Sequence, residues 1–131
     1  MHEKRIEIRW RDLDAAEHVN NAVFLTYLEE ARDEWLDHTF GRDGGWNYLL
    51  ARVAVDYRRE LRLEDDEVVA RIGLARVGTT SLTTREERLT AAGELAAEAK
   101  AVVVARDPDS GRPRPLSPDE RAALGHGPQS S

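Results

Sequence analysis

The chain has 131 residues, 40% hydrophobic and 34% charged, with a formal net charge of -6, which suits one globular domain with a sizeable core. The negative balance argues against a nucleic-acid partner, because phosphate binding rests on Lys and Arg, although a small anionic ligand stays compatible. With no cysteine there are no disulfides, thiolate metal sites or cysteine nucleophiles, and no apolar run nears the roughly 18 residues of a membrane span.

The N-terminal "MHEKRIEIRW" starts with charges and has no apolar run of signal-peptide length, so a cytoplasmic location is expected. Within it "RIEIRW" alternates, which predicts a half-buried strand with Ile6, Ile8 and Trp10 on one face. A polar loop follows. Then Phe24, Tyr27, Leu28, Ala31 and Trp35 recur at helical spacing, predicting a helix from about Asn21 to about Phe40 with Glu29, Glu30, Asp33, Glu34 and Asp37 in water. "GRDGG" ends it, with Gly41 as a left-handed cap and Gly44-Gly45 prolonging the break.

From there the pattern is β. "NYLLARVAVDYRREL" predicts Leu49, Ala51, Val53, Val55 and Tyr57 on one face, and "EVVARIGLARVG" groups Val68, Ala70, Ile72 and Leu74. "TSLTTREERLT" is rich in Thr and charge, so one solvated face is expected. "ELAAEAKAVVVAR" has helical alanines, but its valine run and the Gly93 turn before it favour a strand. Turns are expected around Asp65 and Gly93. After Arg106 the composition turns to Pro, Gly, Ser and Asp, predicting a loop over about 107–116, a short helix capped by Ser117 with Pro118 at its first position, and a disordered "GHGPQSS" tail. One long helix must bury its stripe against a curved antiparallel sheet. The fold class is α+β, in a single domain over 1–131.

Chemistry concentrates in "DLDAAEHVNNA", residues 12–22. Asp12 and Asp14 can be simple Asx-turn residues, with Asn20 or Asn21 capping the helix. A calcium loop fails, because the required Gly and Glu positions hold Glu17 and Val23. A D-x-D phosphotransferase needs a buried, strongly apolar parallel strand, and "RIEIRW" is amphipathic. The four histidines, His2, His18, His38 and His126, show no zinc-ligand spacing. A further reading stays open beside the turn. A carboxylate next to the start of a long helix can act as base or nucleophile while free backbone N–H groups stabilise an oxyanion.

The stretch "RWRDLDAAEHVNNAVFLTYLEEAR", residues 9–32, resembles the signature of the 4-hydroxybenzoyl-CoA thioesterase family of hot-dog folds, roughly F-x-D-x-D-x-x-G-H-V-N-N-x-x-Y-x-x-Y-x-E-x-A-R. The match covers Asp12, Asp14, His18, Val19, Asn20, Asn21, Tyr27, Glu29, Ala31 and Arg32, with Phe24 in place of the first Tyr. The resemblance implies a hot-dog fold of five antiparallel strands around one long helix. It also implies a homodimer or homotetramer with sites at the subunit interface, and hydrolysis of acyl-CoA thioesters without metal or organic cofactor. The family's catalytic carboxylate falls on Asp14 and its oxyanion donor on the Asn21 amide, while the Asn20 side chain orders the loop and His18 packs it. A non-catalytic acyl-CoA-binding protein of the same fold is the alternative.

Two departures from that pattern stand out. Glu17 occupies the position of the signature's Gly, where it either calls for a different backbone, adds a carboxylate that raises the Asp14 pKa, or points to solvent. The "VGTTS" turn, residues 77–81, is neutral where the founding thioesterase is basic and holds the nucleotide phosphates. Arg58, Arg59 and Arg76 are the cations left for that task, and without a basic patch the acyl group is expected on a carrier protein instead of CoA. Phe24, Trp46 and Tyr48 are candidate pocket or core aromatics.

Overall fold

The structure is a computed structural model that describes residues 2–41 and 47–125, with the backbone alone at Asn21 and Ala22. Trp46, Gly44-Gly45 and the tail from His126 lie outside the described residues. The elements are β1 (His2–Glu7), α1 (Asn21–Phe40), β2 (Tyr48–Tyr57), β3 (Glu67–Val77), β4 (Ser81–Thr90), β5 (Leu95–Ala105) and α2 (Pro118–Ala123). All five strands pair antiparallel in the order β1-β3-β4-β5-β2. This is the five-stranded, one-helix α+β arrangement that the resemblance implied.

Helix α1 spans the predicted residues, and its stripe of Phe24, Tyr27, Leu28, Ala31 and Trp35 is buried. Val68, Ala70 and Ile72 of β3 and the alternate alanines of β5 face it with almost no exposure, and α1 lies chiefly against β3 and β1. Gly41 takes φ +90°, the left-handed cap, and Gly93 takes φ +94° in its turn. Ser117 caps α2 as expected. Its Oγ accepts the Glu120 amide at 3.1 Å and its own amide donates to the Glu120 carboxylate at 2.9 Å.

Two sequence expectations are corrected. Trp10 is not on the buried face of a strand. The Asp12 carboxylate accepts the Arg9 amide at 2.9 Å and turns residues 10–12 into a 3-10 turn, so the alternation stops at Ile8 and Trp10 is 79% exposed. Leu49 does not share a face with Val53, Val55 and Tyr57. A bulge between Leu50 and Arg52 inserts Ala51 as an extra residue against β5, so the helix-side row is Tyr48, Leu50, Val53, Val55 and Tyr57.

Strand β4 has the one solvated face expected, with Arg85 exposed, and its opposite row, Leu82, Thr84, Glu86, Arg88 and Thr90, is buried beneath α1. Its charges are paired with the helix. Arg32 grips Glu86 through two hydrogen bonds of 2.9 and 3.1 Å, Thr84 Oγ1 adds one of 2.7 Å, and Arg88 Nη2 lies 3.5 Å from the same carboxylate. Burial pulls the Arg88 pKa down to about 10 against the attraction of Glu86. Its Nε has no hydrogen-bond partner among the described residues.

Candidate active site

The loop before α1 folds on itself. Leu13 bridges Val19, and the Asp14 amide donates to the His18 carbonyl at 2.8 Å. Inside this turn Asp14 Oδ1 accepts the amides of Ala16 at 2.9 Å and His18 at 3.2 Å, an Asx turn that leaves Oδ2 without a partner among the described residues. Glu17 closes the turn at φ +64°. The chain thus keeps the backbone that suits the signature's Gly while carrying a side chain there. That conformation costs a non-glycine residue roughly 1–2 kcal/mol.

The loop is anchored on both sides. His18 bridges Arg62 and sets Nε2 3.2 Å from the Glu60 carboxylate, while the Val19 amide donates to the Leu61 carbonyl at 2.8 Å. Beneath it Asp12 is 4% exposed and accepts the Tyr27 hydroxyl at 2.6 Å. Burial alone would raise the Asp12 pKa, yet the hydrogen bonds from Tyr27 and the Arg9 amide carry it below the usual carboxylate range, and burial together with Asp12 pushes Tyr27 up. The Asp12 carbonyl accepts the Asn20 amide at 3.0 Å, and the Asn20 carbonyl receives the first helical bond, from Phe24, at 2.9 Å. Asn20 is therefore the N-cap, and the amide of Asn21, which opens the helix, has no acceptor within it.

Asp14, His18, Asn20 and Phe24 face one cleft of about 730 Å³, together with Val19, Tyr57, Arg58, Arg59, Glu60 and Leu61. A second hollow of about 600 Å³ is lined by Trp10, Arg11, Leu13, Asp14, Glu17, Leu63 and Glu64. Asp14 alone lines both. Arg58 reaches Glu98 at 2.8 Å, and Arg59 is held by Asp65 at 3.1 Å and Glu94 at 3.0 Å, so both cations of the cleft already carry partners.

Arg76 is elsewhere. It pairs with Thr83 near the far end of the sheet, lines neither hollow, and sits beyond the bulge between Leu74 and Arg76. The "VGTTS" turn goes with it, tied through the carbonyls of Thr79 and Thr80 to Leu116 and Ala105. Tyr48 is core: it stacks on Phe40 with ring centroids 5.0 Å apart and bonds Glu120. Two participants are not visible in the sequence pattern. Helical spacing marks Tyr27 only as an apolar stripe residue, although a buried Tyr hydroxyl needs a partner, and Leu63 lies in a stretch whose composition signals only a turn.

The model of the thioesterase-like superfamily matches residues 8–124. A thioesterase from Thermus thermophilus, solved in complex with coenzyme A and Zn, is 35% identical with a TM-score of 0.84, covering 93% of this chain and 95% of that one. A predicted thioesterase from Bacillus stearothermophilus is 29% identical with a TM-score of 0.84, covering 94% and 92%. A thioesterase-superfamily structure from Jannaschia shares the fold at a TM-score of 0.86 and 20% identity, covering 98% and 94%. No curated protein matches the chain.

Proposed function

The chain belongs to the thioesterase-like superfamily, and from that premise we propose that it hydrolyses an acyl-CoA to the free acid and CoA, with Asp14 as the catalytic carboxylate. The observation that carries this reading is the placement of Asp14. Its Oδ1 accepts both amides of the Asx turn, its Oδ2 has no partner among the described residues, the residue lines the cleft, and the same loop runs directly into the first turn of α1. A thioester is already activated, so two things suffice: a delivered oxygen nucleophile and donors for the oxyanion. Asp14 takes a proton from water, which attacks the carbonyl carbon; the C–S bond breaks and that proton goes to the departing thiolate. Alternatively the carboxylate itself attacks, and water then opens the anhydride. In both routes the Asn21 amide, at the positive end of the helix dipole, stabilises the oxyanion.

CoA is favoured as the thiol because the 35% identical relative was solved with coenzyme A. Arg58 and Arg59 stand on the cleft where they can share phosphates with their present carboxylate partners. The active species in this reading is a homodimer, the partner completing the cleft beside β2.

Asp14→Asn keeps the size of the side chain and the Oδ1 acceptor of the turn but removes the base. It is expected to lower kcat about 10²–10⁴-fold, with KM and the folded state kept. Initial rates on a panel of acyl-CoA substrates measure this, and near-normal kcat in Asp14→Asn would remove Asp14 from its role. Tight acyl-CoA binding without turnover in the unaltered protein would favour the non-catalytic alternative. Single turnover in ¹⁸O water separates the two routes, since only the anhydride route labels the Asp14 carboxylate.

A further inference from the structure

A thioester has two arms of unlike chemistry, an acyl chain and a thiol, that meet at the carbonyl carbon. Asp14 stands at a matching junction: on one side the cleft of Arg58, Arg59 and Glu60, on the other the hollow whose exposed apolar residues are Trp10 and Leu63. These two residues are 79% and 41% exposed; in the cleft Val19, Phe24 and Leu61 are almost fully buried, and Tyr57, at 47%, is the exposed aromatic. The second hollow thus offers two open apolar side chains beside Asp14, and the cleft offers one beside its two arginines.

The exposure of Trp10 and Leu63 is built in. Each opens a 3-10 turn, Trp10–Asp12 and Leu63–Asp65. In each turn the third residue is an aspartate that folds back onto the preceding amide, Asp12 to Arg9 at 2.9 Å and Asp65 to Arg62 at 2.8 Å. A second side chain pins each aspartate, Tyr27 on Asp12 and Arg59 on Asp65, and the Ile8 amide joins the two turns by donating to the Asp66 carbonyl at 2.8 Å. Two fixed walls present apolar side chains that stand outside the hydrophobic core of the described residues. Preorganised apolar walls beside a catalytic group are what a ligand pocket requires.

Resting on the thioesterase reading above, we infer that the Trp10–Leu63 hollow is the acyl subsite and that its substrate carries a neutral, apolar acyl group of medium chain length. Acetyl offers a single methyl for apolar walls to hold, whereas a longer chain buries a methylene at each step. An acyl chain ending in a carboxylate meets Glu17 and Glu64, which outnumber Arg11 on the rim, so a neutral chain is preferred. Trp10 and Leu63 are the specificity-determining residues.

The test uses the full chain, with initial rates on acetyl-, butyryl-, octanoyl- and dodecanoyl-CoA for the unaltered protein, Trp10→Ala and Leu63→Ala, and sedimentation of all three. The expected result is octanoyl preferred over acetyl by at least about tenfold, the scale of an apolar subsite contact. Each variant should lower octanoyl kcat/KM about tenfold while acetyl-CoA turnover stays within about twofold. An equal fall on both substrates, no change on either, or loss of the oligomer in Trp10→Ala overturns the assignment. Those outcomes leave the thioesterase reading standing. Failure of the unaltered protein to hydrolyse any of the four would instead remove that reading, and the subsite with it.

Discussion

Glu17 occupies a left-handed backbone position, at φ +64°, in the turn that carries Asp14. Glycine takes that conformation without a Cβ penalty but loses more freedom on folding. Glu17→Gly is therefore expected to stabilise the fold by about 1 kcal/mol, the left-handed penalty less the glycine entropy, and a thermal or urea melt reads it. An unchanged or lowered midpoint would mean that the Glu17 side chain itself contributes to holding the turn. The Asp14 loop was legible in the sequence because its residue types are local and dense. Trp10 was not, because alternation continues on paper after the chain has turned, and the cause of that turn, Asp12 bonding Arg9 and Tyr27, includes a partner fifteen residues away.

Elements whose signals are local matched their predicted positions: α1 runs over Asn21–Phe40, Ser117 caps α2, and the alanine-rich stretch is β5. Where the deciding partner was distant, the sequence was mute. The Ala51 bulge is invisible to a period-two count and moves Leu49 to the other face. The composition of β4 marks one face as solvated without showing which charges the other face buries, since only strand order places Glu86 opposite Arg32 on the helix. Removing that carboxylate charge with Glu86→Gln leaves two buried guanidinium groups uncompensated, at an expected cost of about 3–5 kcal/mol, measurable as a shift in urea midpoint. A second test belongs to α2. Burial alone would raise Glu120, but hydrogen bonds from Arg114, the Ser117 amide and Tyr48 bring its pKa down to about 2 from an ordinary 4.5. A folded-state pKa below the unfolded one stabilises fully above 4.5 and is lost as pH falls from there through about 2. Acid should therefore weaken the docking of α2, and Glu120→Gln should flatten that part of the stability profile between about pH 5 and 2. An undiminished slope in the variant would place the acid sensitivity in other carboxylates.

At the scale of the molecule, β1 and β2 are the two sheet edges, and they differ in finish. β1 is joined to α1 through Lys4 and His2 on Glu34. β2 leaves Leu49 54%, Leu50 44% and Tyr57 47% exposed, even though Phe24 of α1 meets the Tyr57 ring edge-on at 5.3 Å, because the helix lies chiefly against β3 and β1. An open edge with apolar residues on both faces calls for a partner strand, which the homodimer proposed above would supply by two-fold symmetry. Sedimentation at micromolar concentration is expected to give twice 14.8 kDa, and Leu50→Lys to give monomers with little activity; a stable, active monomer of the unaltered chain contradicts this. The buried Arg32–Glu86–Arg88 cluster has a further consequence, for the search by which the sheet assembles. If β4 slid by one residue, Arg85 and Glu87 would lie beneath α1 and the Glu86 carboxylate would leave Arg32; if it slid by two, Thr84 or Arg88 would stand where Glu86 belongs. A one-residue slip already costs apolar burial, and a guanidinium stranded in the core adds the penalty of an uncompensated charge. The central strand thus carries, in one ion cluster, a charge-based check on its alignment besides the apolar one.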